Sequence, residues 1–214
     1  MYIIAPSDRS TDFLKKSLVD FRTYISNGHI KIIECNADII SYSNARLQID
    51  QIPNGSSIIF MGHGLSDKLY GGESDTFKKQ ALLNIQDFSK FKNKKIYCFS
   101  CFSSSLLSKS HNYRTSLGCL GFGIMPTEMQ EIRLQSSLSS LSISEENIEY
   151  VKKLIINIIK SVISEIIKGS DDSEDIYYLV KSILLSEINK TALTENNFTL
   201  SELIFHIYND IYYD

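Results

Sequence analysis

The sequence predicts an α/β fold, with a doubly wound, mostly parallel sheet, flanking helices and a C-terminal helical extension. Short apolar runs bounded by glycine, asparagine and serine recur along the first half of the chain. Such runs are typical of strands buried on both faces of a parallel sheet. Stretches with helical spacing of apolar residues separate them, which indicates helices on both faces of that sheet. From about Ser136 onward the spacing of apolar residues is helical alone.

The first half of the chain contains candidate strands separated by helical or turn-rich segments. The strands are predicted at positions 2–5, 29–33, 57–62, 95–100 and 117–125. The first helix is expected to follow Ser10 or Thr11 as its N-cap residue and to end at Gly28, because glycine readily takes the left-handed conformation after a helix. A second helix is predicted at 38–47, and Asn84 is predicted to cap a short third helix.

Glycine residues mark two further features. Gly71 and Gly72 follow a short apolar pair and predict a small hairpin near His63. The strand at 117–125 contains three glycines, and glycine inside a strand often marks the close approach of another backbone. We therefore expect a bound peptide to approach this strand closely. The three glycines are Gly118, Gly121 and Gly123.

The change in periodicity divides the chain into a predicted core at 1–135 and a helical segment at 136–214. Three helices are predicted in the second part, with capping pairs taken from their spacing. They are about 147–168 (capping box Ser142 and Glu145, ended by Gly169), 175–188, and one after Thr199 and Glu202. These helices are expected to cover one face of the sheet, to extend the core or to bind a partner. The serine-rich stretch at 134–144 is predicted to be a mobile connection.

Composition excludes several classes of protein. The chain has 214 residues and a formal net charge of −3, which predicts no nucleic-acid partner because binding phosphates needs clustered Lys and Arg. No apolar run approaches the roughly 20 residues that cross a bilayer, and the first residues lack the basic segment of a signal peptide. Four cysteines without metal-ligand spacing indicate reduced thiols and no metal site. We therefore expect a cytoplasmic protein without membrane contact.

Two of the predicted strands end in residues that can do chemistry. The strand at 57–62 leads into His63-Gly64, and the strand at 95–100 leads into Cys101. In open parallel sheets, ligands bind at the carboxyl ends of the strands. If the two strands are neighbours, a thiol and an imidazole meet at that edge, as in a nucleophile–base pair.

Each of these residues also has an ordinary structural interpretation. A cysteine near a strand end is usually a small core residue, and a histidine in a turn can be purely structural. Cys101 differs from the other cysteines because serines surround it, and the glycines flanking His63 leave backbone N–H groups approachable. The residues given the structural interpretation are Cys35, Cys98, Cys119, His29, His111 and His206.

The two motifs together resemble those of the caspase-like cysteine peptidases. The matching strings are Met61-Gly62-His63-Gly64 and Phe99-Ser100-Cys101-Phe102-Ser103. His63 precedes Cys101 by 38 positions, fewer than the about 50 typical of caspases, and the caspase string Q-A-C-[RQG]-G is missing. The pattern is most similar to the CHAT and separase branch, and the resemblance covers roughly residues 1–130.

The resemblance implies a caspase-like fold and a cysteine endopeptidase without a cofactor. Cys101 would be the nucleophile and His63 the base, with the backbone N–H groups of Gly64 and Cys101 as oxyanion donors. No third acid is evident from the sequence, and the family does not require one. In separase-like and CHAT-like members, an acidic residue after the next strand binds a basic P1 side chain, and Glu128 stands at the matching position.

Alternatives to this substrate pocket stay open. Glu128 could be a solvated loop carboxylate, since glutamate is most often exposed. An acidic P1 preference of the caspase kind would need arginines in the pocket, and Arg114 and Arg133 are the nearest in sequence.

The family context also implies partners. We expect a protein or peptide substrate and a possible regulatory protein partner, with a role in bacterial defence among the implied functions. The alternative function is a non-catalytic caspase-like adaptor or interaction module that acts through its helices.

Overall fold

A computed structural model of the chain describes residues 1–133, 138 and 141–214. Its central sheet is mostly parallel, as predicted, with strand order β2-β1-β3-β7-β8-β9. Every neighbouring pair is parallel except the last, β8 with β9. The strands are β1 Tyr2–Pro6, β2 Lys31–Cys35, β3 Ser57–Met61, β7 Lys95–Phe99, β8 Gly118–Gly121 and β9 Tyr212–Tyr213. A smaller antiparallel sheet contains β4 Gly64–Leu65, β5 Lys68–Tyr70 and β6 Ala81–Asn84.

The central strands are buried on both faces because they are apolar throughout. Side chains alternate between faces along a strand, and the structure follows this rule: Ile59 and Tyr97 belong to one core, whereas Ile58 and Ile96 belong to the other. The two apolar layers lie on opposite faces of the sheet, and each is covered by helices. The fold is therefore a mixed α/β arrangement with a mostly parallel central sheet.

One core lies between the sheet and the helices that follow β1 and β8, so the C-terminal helices cover one face of the sheet. These elements are the 3₁₀ helix Asp12–Phe21, α1 Arg22–Ser26, α5 Glu145–Lys168, α6 Ser173–Asn189 and α7 Phe198–Asn209, with a π turn at Lys190–Thr194. The other core is covered by the small sheet and by α2 Ile39–Asp50, the 3₁₀ helix Ile85–Phe91 and α3 Ser103–Lys109. A short α4, Met129–Arg133, follows β8.

The segment after β1 differs from the prediction. Its first part is a 3₁₀ helix, and Thr11 precedes it without a side-chain capping bond. Ser10 does not cap it either, because its hydroxyl bonds to Asp8 and His63. The predicted stop is confirmed, since Gly28 adopts the left-handed conformation with φ of 75°. The second strand begins two residues later than predicted.

The predicted hairpin near His63 exists, but its turn is elsewhere. The turn lies between β4 and β5, and Gly71-Gly72 follows β5. These glycines are needed for close packing instead. A Cβ atom at Gly71 would lie 2.3 Å from the Tyr42 ring, and one at Gly72 would lie 2.4 Å from the carbonyl oxygen of Cys35.

The glycines of β8 approach this chain's own helices, so their assignment to a bound peptide was wrong. A Cβ atom at Gly118 would lie 2.4 Å from the Ser173 hydroxyl. At Gly121 it would lie 2.8 Å from the backbone of Ser103 at the start of α3. The predicted strand therefore supports helices on both faces of the sheet. It is also shorter than predicted.

Two helices in the C-terminal part are capped by residues other than those predicted. Helix α5 is capped by Ser144, whose hydroxyl accepts from the backbone N–H of Asn147, rather than by Ser142. Helix α7 is capped by Asn197 rather than Thr199. Gly169 ends α5 in the left-handed conformation, as predicted. In both cases another polar residue lies nearby, and spacing alone does not decide which one caps.

The predicted boundary between a core at 1–135 and a helical segment at 136–214 lies outside the described residues. So does most of the connection predicted at 134–144. In the part of the chain that the structure describes, no helix has the length and apolar character to span a membrane.

Candidate active site

His63 and Cys101 lie at the same end of the central sheet. They follow β3 and β7, which pair in parallel with Met61 opposite Phe99. The pairing continues beyond the strands, because the backbone N–H of Gly62 donates to the carbonyl of Phe99 over 3.3 Å. Both residues line one small cavity together with Met125 and Thr127. The structure thus brings the predicted pair together.

Cys101 stands on a sharp turn between β7 and α3. The next residue, Phe102, has φ of 58°, a left-handed conformation that is costly for a bulky side chain. The turn is held by the segment after β8, because Phe102 N–H donates to the carbonyl of Gly123 over 2.6 Å and Ser104 N–H to that of Phe122 over 2.8 Å. The fold therefore supports a strained backbone directly after the candidate nucleophile.

The thiol of Cys101 lies against the backbone of Met125. Its Sγ atom is 3.4 Å from both the carbonyl oxygen and the backbone nitrogen of that residue. Cys101 is half-buried, whereas Cys98, three residues earlier on β7, is fully buried. The thiol is therefore positioned by the main chain and still reaches the cavity.

Gly64 brings the two motif segments into contact. A Cβ atom there would lie 2.8 Å from the carbonyl oxygen of Cys101 and 2.8 Å from the hydroxyl of Ser100. Only glycine permits this approach, so the residue after His63 is fixed beside the turn at Cys101. The two expected oxyanion donors, the N–H groups of Gly64 and Cys101, thus belong to adjoining segments.

Comparison with models of known protein families finds no match, and neither does comparison with the curated proteins.

A carboxylate that sequence reasoning missed lies beside His63. Asp8, in the connection after β1, is 5% exposed, and its Oδ1 atom is 3.6 Å from Nε2 of His63. Ser10 lies between them, with its hydroxyl 2.6 Å from each of those two atoms. The signal was available, because these polar residues follow β1, a third buried strand of the same sheet. Assigning Ser10 to a helix cap concealed it.

The environment keeps His63 neutral and Asp8 ionised. Burial, reinforced by the nearby Lys79, lowers the pKa of His63 below 6.5. For Asp8, burial alone would raise the pKa, but hydrogen bonds from Ser10 and the attraction of His63 and Lys79 bring it below 3.8. Near neutral pH the site therefore contains an uncharged imidazole next to a carboxylate.

Glu128 lies in a cleft of about 920 Å³ next to the candidate pair. The cleft is shared with His63, and Glu128 is half-buried there rather than fully solvated. Charges of both signs line the cleft: Asp8, Glu73, Asp75, Glu128, Arg9, Lys78, Lys79 and Lys152. Lys79 pairs with Glu73 over 3.2 Å. Glu128 and His63 thus face the same cleft.

The two arginines considered for an acidic P1 residue do not line this cleft. Arg114 is buried and donates to the carbonyl of Leu107 and to Asp214, over 3.2 and 2.8 Å. Arg133 is exposed at the end of α4. Neither is placed to read a substrate next to Cys101.

The remaining cysteines are core residues. Cys35, Cys98 and Cys119 are buried and outside disulfides. Burial raises the pKa of all three thiols, and that of Cys119 reaches about 12. Among the described residues, no group of three or more His, Cys, Asp or Glu side chains could hold a metal ion.

Proposed function

We propose that this chain is a caspase-like cysteine endopeptidase with Cys101 as its nucleophile and His63 as its general base. The observation that carries the proposal is that the two residues line one cavity, at the carboxyl ends of neighbouring parallel strands. Ligands of open parallel sheets bind at this edge. A neutral imidazole beside a thiol is also the arrangement that activates cysteine for attack.

The reaction would proceed in two steps. The Cys101 thiol gives its proton to His63 while Sγ bonds to the substrate carbonyl carbon, and the C=O electron pair moves onto oxygen. Collapse of this intermediate expels the amine, which takes the proton from His63 and leaves a thioester. Water then attacks the thioester with His63 as base, releasing the carboxylic acid and regenerating the thiol.

Negative charge on the carbonyl oxygen needs donors in place before the reaction. The close contact between the Gly64 and Cys101 segments supports their N–H groups in this role. The strained turn at Phe102 supports it too, because such turns expose a nucleophile above a strand end.

For substrate choice, we propose a basic P1 residue that pairs with Glu128. The position of this half-buried carboxylate in the cleft beside His63 supports the idea. A carboxylate can receive a guanidinium through two parallel hydrogen bonds, which adds selectivity to charge attraction. A protein substrate, a regulatory partner and a role in defence are carried over from the resemblance and remain proposals.

The decisive test is peptide cleavage by Cys101→Ala and His63→Ala. Both variants should fold, because these residues lie at strand ends, and each should lose at least about 10⁴-fold in kcat/KM. Cleavage of a peptide library is measured for the parent first, and circular dichroism and thermal unfolding check the fold of each variant. His111→Ala is the matched control, since His111 is exposed and pairs with Asp214.

Parental activity in either variant would disprove the assignment. The alternative function is separated by thiol labelling with iodoacetamide. Fast labelling of Cys101 that is lost in His63→Ala supports the enzyme, whereas labelling indifferent to His63 favours a non-catalytic interaction module.

A further inference from the structure

The connection after β1 crosses the carboxyl end of the sheet beside His63. Strand β1 pairs with β3, and Ile4 stands opposite Phe60. The chain beyond β1 therefore reaches the residue that follows β3. Asp8 is buried there, and its Oδ2 atom has no hydrogen-bond partner among the described residues. A buried carboxylate oxygen without a hydrogen-bond donor costs free energy. This cost indicates that Asp8 has a role in the site.

The hydrogen bonds of Ser10 have a defined direction. Asp8 Oδ1 accepts from the backbone N–H of Ser10 over 2.9 Å and from its hydroxyl over 2.6 Å. A serine hydroxyl has one proton and an ionised carboxylate has none. Once that proton points to Asp8, the Ser10 oxygen can only accept from Nε2 of His63, 2.6 Å away. His63 must therefore carry its proton on Nε2.

We propose that Asp8 and Ser10 are positioning residues that fix the tautomer of His63 and leave its Nδ1 atom as the proton acceptor for Cys101. The inference rests on the proposed peptidase function. Neutral imidazole has one donor and one acceptor nitrogen, and the partner of one nitrogen decides the role of the other. Asp8 also stabilises the imidazolium that forms when the Cys101 proton arrives, because its carboxylate lies 3.6 Å from Nε2.

Other charged groups face His63, and they set the background for any pH effect. Lys79 and Glu73 come from the connection between β5 and β6, and Glu128 precedes α4. The remaining charged groups around the shared cleft are Arg9, Asp75, Lys78 and Lys152. Within ion-pair distance of His63, the described chain places the carboxylate of Asp8.

Two substitutions separate the effect of the Ser10 hydrogen bonds from that of the Asp8 charge. Ser10→Ala removes the hydroxyl that links Asp8 to His63 and keeps the carboxylate. Asp8→Asn keeps an acceptor for Ser10 and removes the charge. The matched controls lie close by in the chain: Ser7→Ala, in the same connection, whose hydroxyl bonds to Asn36, and Asp12→Asn, at the start of the 3₁₀ helix, whose carboxylate pairs with Lys15. Ser10→Thr retains the hydroxyl and should restore the parental behaviour.

The first readout is the tautomer of His63, measured by NMR on protein with ¹⁵N-labelled histidine. The His63 signal is identified by its loss in His63→Gln. The parent should show the Nε2–H tautomer, and Ser10→Ala should shift the population toward Nδ1–H. The Nδ1–H tautomer in the parent would overturn the proposal, as would an unchanged tautomer in Ser10→Ala.

The second readout is the pH dependence of Cys101 alkylation by iodoacetamide. In this reaction Sγ bonds to carbon, iodide leaves and the thiol proton passes to His63. Ser10→Ala should lower the plateau rate about tenfold to a hundredfold, because the ring can turn its protonated nitrogen to the thiol. In Asp8→Asn, the pH below which the alkylation rate falls should move to a lower value, since losing the negative charge lowers the His63 pKa further. This falling part of the rate–pH profile is its acid limb.

The two proposals fail in different ways. If His63→Gln leaves Cys101 alkylation unchanged, the catalytic pair is disproved, while the tautomer measurement still decides the contact with Ser10. If His63→Gln slows alkylation but Ser10→Ala and Asp8→Asn match their controls in rate and acid limb, the pair stands and the positioning role is overturned.

Discussion

The hydrogen bonding of polar groups differs between the two ends of the central sheet. At the carboxyl end, Asp8 Oδ2 and the Ser100 hydroxyl are buried without a hydrogen-bond partner in the described chain, and Phe102 is strained. At the amino end, the carboxylate of Asp171 accepts from Lys95 over 2.7 Å and from Ser57 over 2.6 Å. Polar groups at the amino end thus satisfy one another, whereas two polar atoms at the carboxyl end have no hydrogen-bond partner in the described chain.

This contrast teaches where stability and chemistry reside in the fold. Unpaired buried groups and left-handed non-glycine residues cost free energy, and they persist where a site needs them. The Tyr97 hydroxyl, which donates to the carbonyl of Asp171 over 2.6 Å, extends the satisfied network toward the middle of the sheet. Substitutions at the amino end should therefore change stability, and those at the carboxyl end should change reactivity.

The largest expected effect is in thiol reactivity. Cys101 should react with iodoacetamide at least about a hundredfold faster than the other cysteines, because buried thiols with raised pKa react only when the fold opens. Intact-mass analysis of native protein should show one fast adduct, and Cys101→Ala should show none. Several equally fast adducts would mean that reactivity is not confined to the carboxyl end. The slow cysteines are Cys35, Cys98 and Cys119.

The next effect is on stability at the amino end. Asp171→Ala should lower the free energy of unfolding by about 2 kcal/mol, since Lys95 and Ser57 lose their acceptor. Urea unfolding measures this change, and the alkylation rate of Cys101 should remain parental. Asp67→Ala, which removes a surface pair with Lys68, is the control and should cost less than about 0.5 kcal/mol. A slower alkylation of Cys101 in Asp171→Ala would show that the two ends of the sheet do not act independently.

More of the central sheet than of the candidate site could be predicted from the sequence. Apolar runs bounded by turn residues located β3 and β7, and strand ends located His63 and Cys101, because these features depend on local sequence. The role of Ser10 depends on a contact across 53 positions of the chain, which a local cap assignment cannot supply. Strand β9 was also missed, since two residues carry no periodicity.

The cleft offers a smaller effect, on selectivity. Glu128→Gln should reduce the preference for Arg over Ala at P1 about tenfold, because the amide keeps the shape of the side chain and loses its charge. Matched peptides with Arg, Lys, Asp and Ala at P1 measure the ratio. Glu73→Gln, in the same cleft but paired with Lys79, is the control. A preference for Asp, or an Arg preference untouched in Glu128→Gln, would place the pocket on other residues.

The smallest effect is a pH dependence at the amino end. Burial opposes ionisation of Asp171, but hydrogen bonds from Lys95 and Ser57 bring its pKa below 3.8 in the folded chain. Its stabilising contribution is therefore complete above the unfolded value and declines as the pH falls through the lower folded value. The difference in unfolding free energy between the parent and Asp171→Asn should narrow between pH 7 and pH 3. A constant difference would show that charge is not involved.

Strand β9 makes the two edges of the central sheet unequal. It pairs antiparallel with β8 over two residues, so this short strand stands at one edge of the sheet and the five-residue β2 stands at the other. An open edge can add a strand from another molecule, and a very short edge strand is one way in which proteins limit such pairing. The β2 edge is therefore the longer one for the addition of a strand from another molecule. The exposed Lys31 and Glu34 on β2 set the charge pattern that such a pairing would have to match.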